Sequence, residues 1–301
     1  MPASYPTSAK SFTTKNTADT IQAAHINDLQ AEVTALETGL VPGILGRFVR
    51  SAGAGSNPAF SPLTTEQTTT ATGGQNNFDL TSSCTFLRCT GAAPNFTGFT
   101  VAGAAPSAGD VAILDCLGST SLKVTDQATS TAANQIICES TQGQIVGVLG
   151  RILLVYDGTT SRWRATVIDP GAALTYTPTW TGAGSNPSIG NGTLTGSYIQ
   201  RGKICWVEIV CVAGGTTTFG SGVYSWAIPL TAADADRIRL FGEILDSGTA
   251  FWQAASRGSG GTTATVIVGS AGSTSASSGS TVPMTWAASD YLRLAGEYMI
   301  T

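Results

Sequence analysis

Charge is scarce in this chain: only 11% of its 301 residues are Asp, Glu, Lys or Arg. The 15 basic residues against 19 acidic ones give a net charge of −4, with no basic run anywhere. Phosphate binding draws on clustered Lys and Arg, so nucleic acid is not an expected partner. There is one histidine, His25, so a Ser–His–Asp triad farther along the chain lacks its imidazole, and His-based zinc sites are excluded. Six cysteines (Cys84, Cys89, Cys116, Cys138, Cys205 and Cys211) form no CxxC pair and no metal spacing. Long apolar runs are missing too. The longest, Ile204 to Val212, contains Glu208 and is far too short to span a bilayer. Met1 to Lys10 has no apolar stretch of the kind a signal peptide needs. The expectation is a chain made and assembled in a cytoplasm, without membrane insertion, cofactor or metal. In that compartment the cysteines read as small buried apolar residues.

What is abundant is Gly, Ser, Thr and Ala, a composition suited to tight β structure with many turns. One stretch differs. Ile26, Leu29, Val33, Leu36 and Leu40 are spaced three, four, three and four apart, the a/d rhythm of a coiled-coil seam. Asp19 with Gln22 marks a helix start, and Gly39 with Pro42 its end. So short a helix is marginal alone in water, and its stripe must be covered, either by the chain's own β structure or by further copies. The narrow a/d stripe favours self-association through these five residues.

The rest reads as all-β. Residues 1–43 are expected to form an arm and oligomerisation helix, followed by two jelly-roll-like β-sandwiches, 44–171 and a distal one over 172–301. The six letters Gly53 to Pro58 return as Gly182 to Pro187, a shared turn that opens each region. Ile152–Tyr156, Asp157-Gly158 and Arg162–Val167 read as a hairpin in which Asp-Gly supplies positive φ. Lys203 to Cys211 is nearly all apolar, as for a strand covered on both faces.

Candidates for chemistry are few. Asp110 with Asp115, or Glu243 with Asp246, could form a glycosidase pair, but their spacing brings neither pair across a cleft. Asp234-Ala235-Asp236 resembles half a calcium loop and lacks its later glycine and glutamate. Of six tryptophans, Trp206 and Trp226 lie in apolar strands and are expected in the core. Trp180 and Trp252, next to turn residues, are the candidates for stacking on a sugar.

Three passages carry a resemblance. Thr20 to Gln30 (TIQAAHINDLQ) resembles the start of many tailed-bacteriophage fibre and virion surface proteins. Leu154 to Arg164 (LVYDGTTSRWR) is similar to the closing hairpin of a β domain found in such fibres. Tyr176–Trp180, followed by Gly192–Gly196, is similar to the opening of another phage-associated β domain. The resemblance implies a non-enzymatic homo-oligomer, usually a trimer, attached to other virion proteins through residues 1–43. Its β domains would face outward on the virion surface, on tail or head, for contact with the host or a glycan. A capsid-stabilising decoration protein without ligand and a small tailspike-like glycan hydrolase remain as alternatives.

Overall fold

A computed structural model describes residues 47–50, 59–62, 65–118, 120–126, 129–268 and 276–301. The expected seam (Ile26, Leu29, Val33, Leu36, Leu40), His25 and the first six-residue turn lie outside these residues. The described chain is mainly β, with two three-residue 3-10 turns as its helical elements. It divides into two units, Met1–Thr65 and Glu66–Thr301. In the first, β1 (Arg47–Arg50) pairs antiparallel with β2 (Ala59–Pro62).

The second unit starts as stacked coils. β3 (Thr65–Thr69), β4 (Gly74–Gln75) and β5 (Phe78–Leu80) are followed by β6 (Cys84–Cys89), β7 (Asn95–Phe96) and β8 (Phe99–Val101). A further turn of chain begins with β9 (Val111–Cys116), β10 (Ser121–Val124) and β11 (Ile136–Ile137). Corresponding strands pair in parallel: β4 with β7, β7 with β10, β5 with β8 and β6 with β9. This is a short solenoid, not two facing sheets. Its last coil would expose bare strand edges, and an antiparallel cap covers them. β12 (Gln144–Gly147) pairs with β10, and β13 (Arg151–Asp157) pairs with β9. β14 (Arg162–Asp169) then pairs with β13 on one side and β11 on the other.

Alternation along these strands fills one core. Thr85, Leu87 and Cys89 point in from β6, Ile152, Leu154 and Tyr156 from β13, and Trp163, Ala165 and Val167 from β14. Phe78, Phe96, Phe99, Trp163 and Tyr156 form a chain of ring contacts with centroids 5.1–6.1 Å apart. The Trp163 indole N–H donates to the Phe99 carbonyl at 3.1 Å, so this buried ring leaves no polar atom unpaired.

The β13–β14 turn differs from its expected form. Gly158 does not take positive φ; Ser161 does, at +52°. Asp157 Oδ1 instead accepts from the Thr159 and Thr160 amides at 2.9 and 3.4 Å, an Asx-type turn. Gly158 is needed for space, because a Cβ there would lie 2.6 Å from that of Ala108. The Arg164 guanidinium and these amides hold the Asp157 carboxyl down to about 2.

The remaining strands form a single sheet. In chain order they are β15 (Leu174–Tyr176), β16 (Trp180–Gly182), β17 (Thr193–Arg201), β18 (Ile204–Val212) and β19 (Tyr224–Ala227). β20 (Arg239–Asp246), β21 (Ala250–Ser259), β22 (Thr263–Val268), β23 (Ala276–Ser277) and β24 (Tyr291–Met299) follow. Across the sheet the order is β15-β17-β18-β24-β20-β21-β22-β19-β16, with β23 beside β22. Laid flat, nine strands would span about 38 Å at the usual spacing. Yet the edge strands β15 and β16 are separated by only Thr177, Pro178 and Thr179, a connection reaching at most about 14 Å. The sheet must therefore curl on itself as a half-barrel. The Tyr176 hydroxyl, at one margin, donates to the Ala227 carbonyl on β19 at 3.3 Å. One curled sheet replaces the expected sandwich, and a second apolar core, from Trp180 to Ile300, fills its interior.

All six cysteines carry thiols, with Cys84 and Cys138 half-buried and the other four buried. Cys205 and Cys211 both point inward from β18.

Candidate functional site

β18 supplies the clearest departure from expectation. Its burial alternates strictly: Cys205, Val207, Ile209 and Cys211 are inside, while Ile204 and Trp206 stay 46% and 39% exposed. A strand read as covered on both faces is covered by its own chain on one. Trp206 is thus an outer residue, not a core one.

The β17–β18 connection is a two-residue hairpin, Gly202-Lys203, closed by Arg201 opposite Ile204. Gly202 has φ +57°, which suits glycine at the first turn position. Gln200 is buried behind it, and its Nε2 donates to the carbonyls of Gly143 at 2.8 Å and Gly202 at 3.2 Å. One amide thereby fixes the hairpin tip against the solenoid cap.

A second set of bonds holds the same junction. The Gln142 carboxamide pairs with the Thr231 backbone in both directions, each at 2.8 Å, and also donates to Thr301 Oγ1 at 3.1 Å. Ser140 Oγ and the Thr141 amide donate to the Thr301 carbonyl at 2.6 and 3.0 Å.

Beside this clamp lies an open groove of about 610 Å³. Glu139, Thr166 and Val167 form the solenoid wall; Arg201, Gly202, Lys203, Ile204 and Met299 form the half-barrel wall. Met299 on β24 stands directly opposite Ile204 and is 48% exposed, so the two make an apolar shelf. Arg201 and Lys203 are exposed at its rim and have no ion-pair partner among the described residues. Glu139 Oε2 lies against Gly202, where a Cβ would collide with it. Trp206 shares the outer face with Ile204, about 7 Å farther along the strand, and flanks the groove. The groove can offer two cations, one carboxylate, a hydroxyl and an apolar shelf ending in an indole.

The residues singled out from sequence fall elsewhere. Trp180 is buried, 6% exposed, and its ring lies parallel to that of Trp226 with centroids 5.9 Å apart; it is a core residue. Trp252 is half-buried against the same core. Asp110 accepts from the Ser107 amide, and Asp115 is held by Arg151 at 3.0 Å. Five residues along an extended segment put these two on opposite faces, about 17 Å apart. Glu243 accepts from the Tyr291 hydroxyl at 2.7 Å, and Asp246, three residues on, faces the other way. Neither pair lines the groove. Asp234 caps a 3-10 turn and pairs with Arg237, as a turn residue rather than a calcium ligand. No group of three potential metal ligands occurs among the described residues.

Fold and groove together define a mainly β protein whose solenoid and half-barrel meet at a polar clamp beside a cationic groove. No protein-family model, no curated protein and no solved structure matches the chain. No helix among the described residues is long and apolar enough to cross a membrane.

Proposed function

We propose that this chain is a non-enzymatic, self-associating structural protein of a bacteriophage surface, with residues 1–43 as its attachment and the half-barrel turned outward. The phage setting comes from the three sequence passages described above. A fibre subunit, usually trimeric, and a capsid decoration protein both accommodate it.

The outer face of the half-barrel carries the proposal. Phe241 and Phe251 are 65% and 69% exposed on neighbouring strands β20 and β21. Leu245 stands opposite Phe251, and Tyr291 and Val212 continue the same row across β24 and β18. Ala295 and Ala255 flank Phe241. Apolar rows of this kind on a sheet already packed on its inner side mark an interaction surface. Arg239, Arg293, Glu208, Glu243 and Glu297 are interspersed, so a second copy can meet both signs of charge with its own.

Light scattering coupled to size-exclusion chromatography tests this. The full chain should run as an oligomer at micromolar concentration. Phe241→Glu with Phe251→Glu, or Leu29→Asp with Leu36→Asp, should lower its mass, because a charge buried in such a contact is costly. A stable monomer, indifferent to both pairs, would overturn the proposal.

A further inference from the structure

We infer that the groove between solenoid cap and half-barrel is a binding site for a carboxylate-bearing sugar, a uronate or sialate unit of a surface glycan. This deepens the proposed function and rests on it only in placing the half-barrel where such a glycan can reach.

Four observations converge. First, Arg201 flanks and Lys203 lies within a tight hairpin turn, and neither forms an ion pair among the described residues. A guanidinium offers a carboxylate two parallel N–H donors and an ammonium adds a point charge. Second, the groove volume of about 610 Å³ falls within the range of small-ligand sites. Third, Val167, Ile204 and Met299 give its walls apolar surface, and Trp206 lies two residues beyond Ile204 on the same outer face of β18. A pyranose has one face of C–H bonds that packs on such a surface, while its rim hydroxyls need polar partners. Fourth, Glu139 and Thr166 supply those partners on the facing wall. A neutral sugar would use the shelf but make no charge-assisted pair with either cation. A bare inorganic anion would use the cations but not the shelf. An acidic sugar uses both.

The site is also held in place. Gln200 ties the hairpin tip to the Gly143 carbonyl, and the Gln142–Thr231–Thr301 bonds brace the junction alongside. The cations therefore project from a fixed turn, which lowers the ordering cost of binding.

The test titrates the full chain with methyl α-glucuronide and, in parallel, methyl α-glucoside. Saturation-transfer NMR and Trp fluorescence report binding. A ligand of this size should bind the wild type with about millimolar affinity. The glucoside should bind about tenfold more weakly or not at all, the loss expected for one charge-assisted hydrogen bond. Arg201→Gln with Lys203→Gln should abolish detectable uronide binding, and Trp206→Ala should weaken it severalfold. Added salt should weaken it as well. Arg162→Gln, on the β13–β14 turn, should leave it unchanged. Lys203→Glu alone, at an exposed turn position, repeats the test should the double variant fold poorly. Equal binding of glucuronide and glucoside, uronide binding that survives both hairpin variants, or no saturable uronide binding would each overturn the inference. An oligomer by light scattering with no uronide binding overturns this inference alone and leaves the self-association reading standing.

Discussion

Gln144 gives the sharpest stability prediction. It opens β12 and shares its inward face with Val146, deep in the solenoid core, with no exposed surface. Neither Oε1 nor Nε2 of its carboxamide has a hydrogen-bond partner among the described residues. Each buried polar group left unpaired costs about 1–3 kcal/mol, whereas an apolar group of the same shape costs nothing of the kind. Methionine has nearly the volume and side-chain entropy of glutamine, so Gln144→Met exchanges two unpaired polar atoms for a thioether and a methyl without opening a cavity. We expect a gain of about 2 kcal/mol, allowing for some repacking. In a unit of this length that raises Tm by roughly 4–8 °C. Urea unfolding should show a higher midpoint at unchanged slope. A loss of 1 kcal/mol or more would refute the reasoning and show that the amide is held by a bound water bridging it to the backbone.

Two further predictions follow from backbone and thiol chemistry. Leu149 has φ +66° and is 59% exposed, so it pays for a left-handed conformation without burying its side chain; Leu149→Gly should raise stability by about 1 kcal/mol in the same urea assay. Burial pushes the Cys205 and Cys211 thiols from 9.0 up to about 11 and about 12. The unfolded chain loses these protons first, so their contribution is intact below pH 9 and falls as pH rises towards 11–12. Two such thiols give a slope of about 2.7 kcal/mol per pH unit there, and Cys205→Ala with Cys211→Ala should flatten the measured decline between pH 9 and 11.

The strands that could be read from sequence are those whose inward residues are apolar. β13, β14 and β18 alternate cleanly and fall within a residue or two of their expected bounds. β17 gave no such signal, because its inward residues include Gly196 and Gln200. Gly196 faces inward because the Tyr176 ring occupies the space its Cβ would need, and Gln200 because its amide braces the hairpin. β4 and β7 are two residues long and pair with partners 21 and 28 positions away, which no local period reveals. The solenoid was hidden for that reason, and the sandwich expectation took its place.

The groove was hidden for a related one. Its residues come from four separate stretches, and Trp206 was assigned to the core because β18 is apolar on both faces. The chain covers only one of those faces, and Ile204 and Trp206 on the other stay exposed. Trp180 shows the converse, since its flanking turn residues suggested exposure while β16 lies where the curling sheet folds over its own core.

The curl of the sheet also decides how copies can safely crowd together. Its two margins are strands of just three residues each, β15 and β16, and they sit within a few residues of one another. On these two strands themselves an invading strand from a neighbour finds only three residues of backbone to zip onto. Under the proposed self-association, copies would meet through side chains such as Phe241 and Phe251, which selection can adjust one at a time, and not through main-chain pairing at these two strands, which any sequence could imitate.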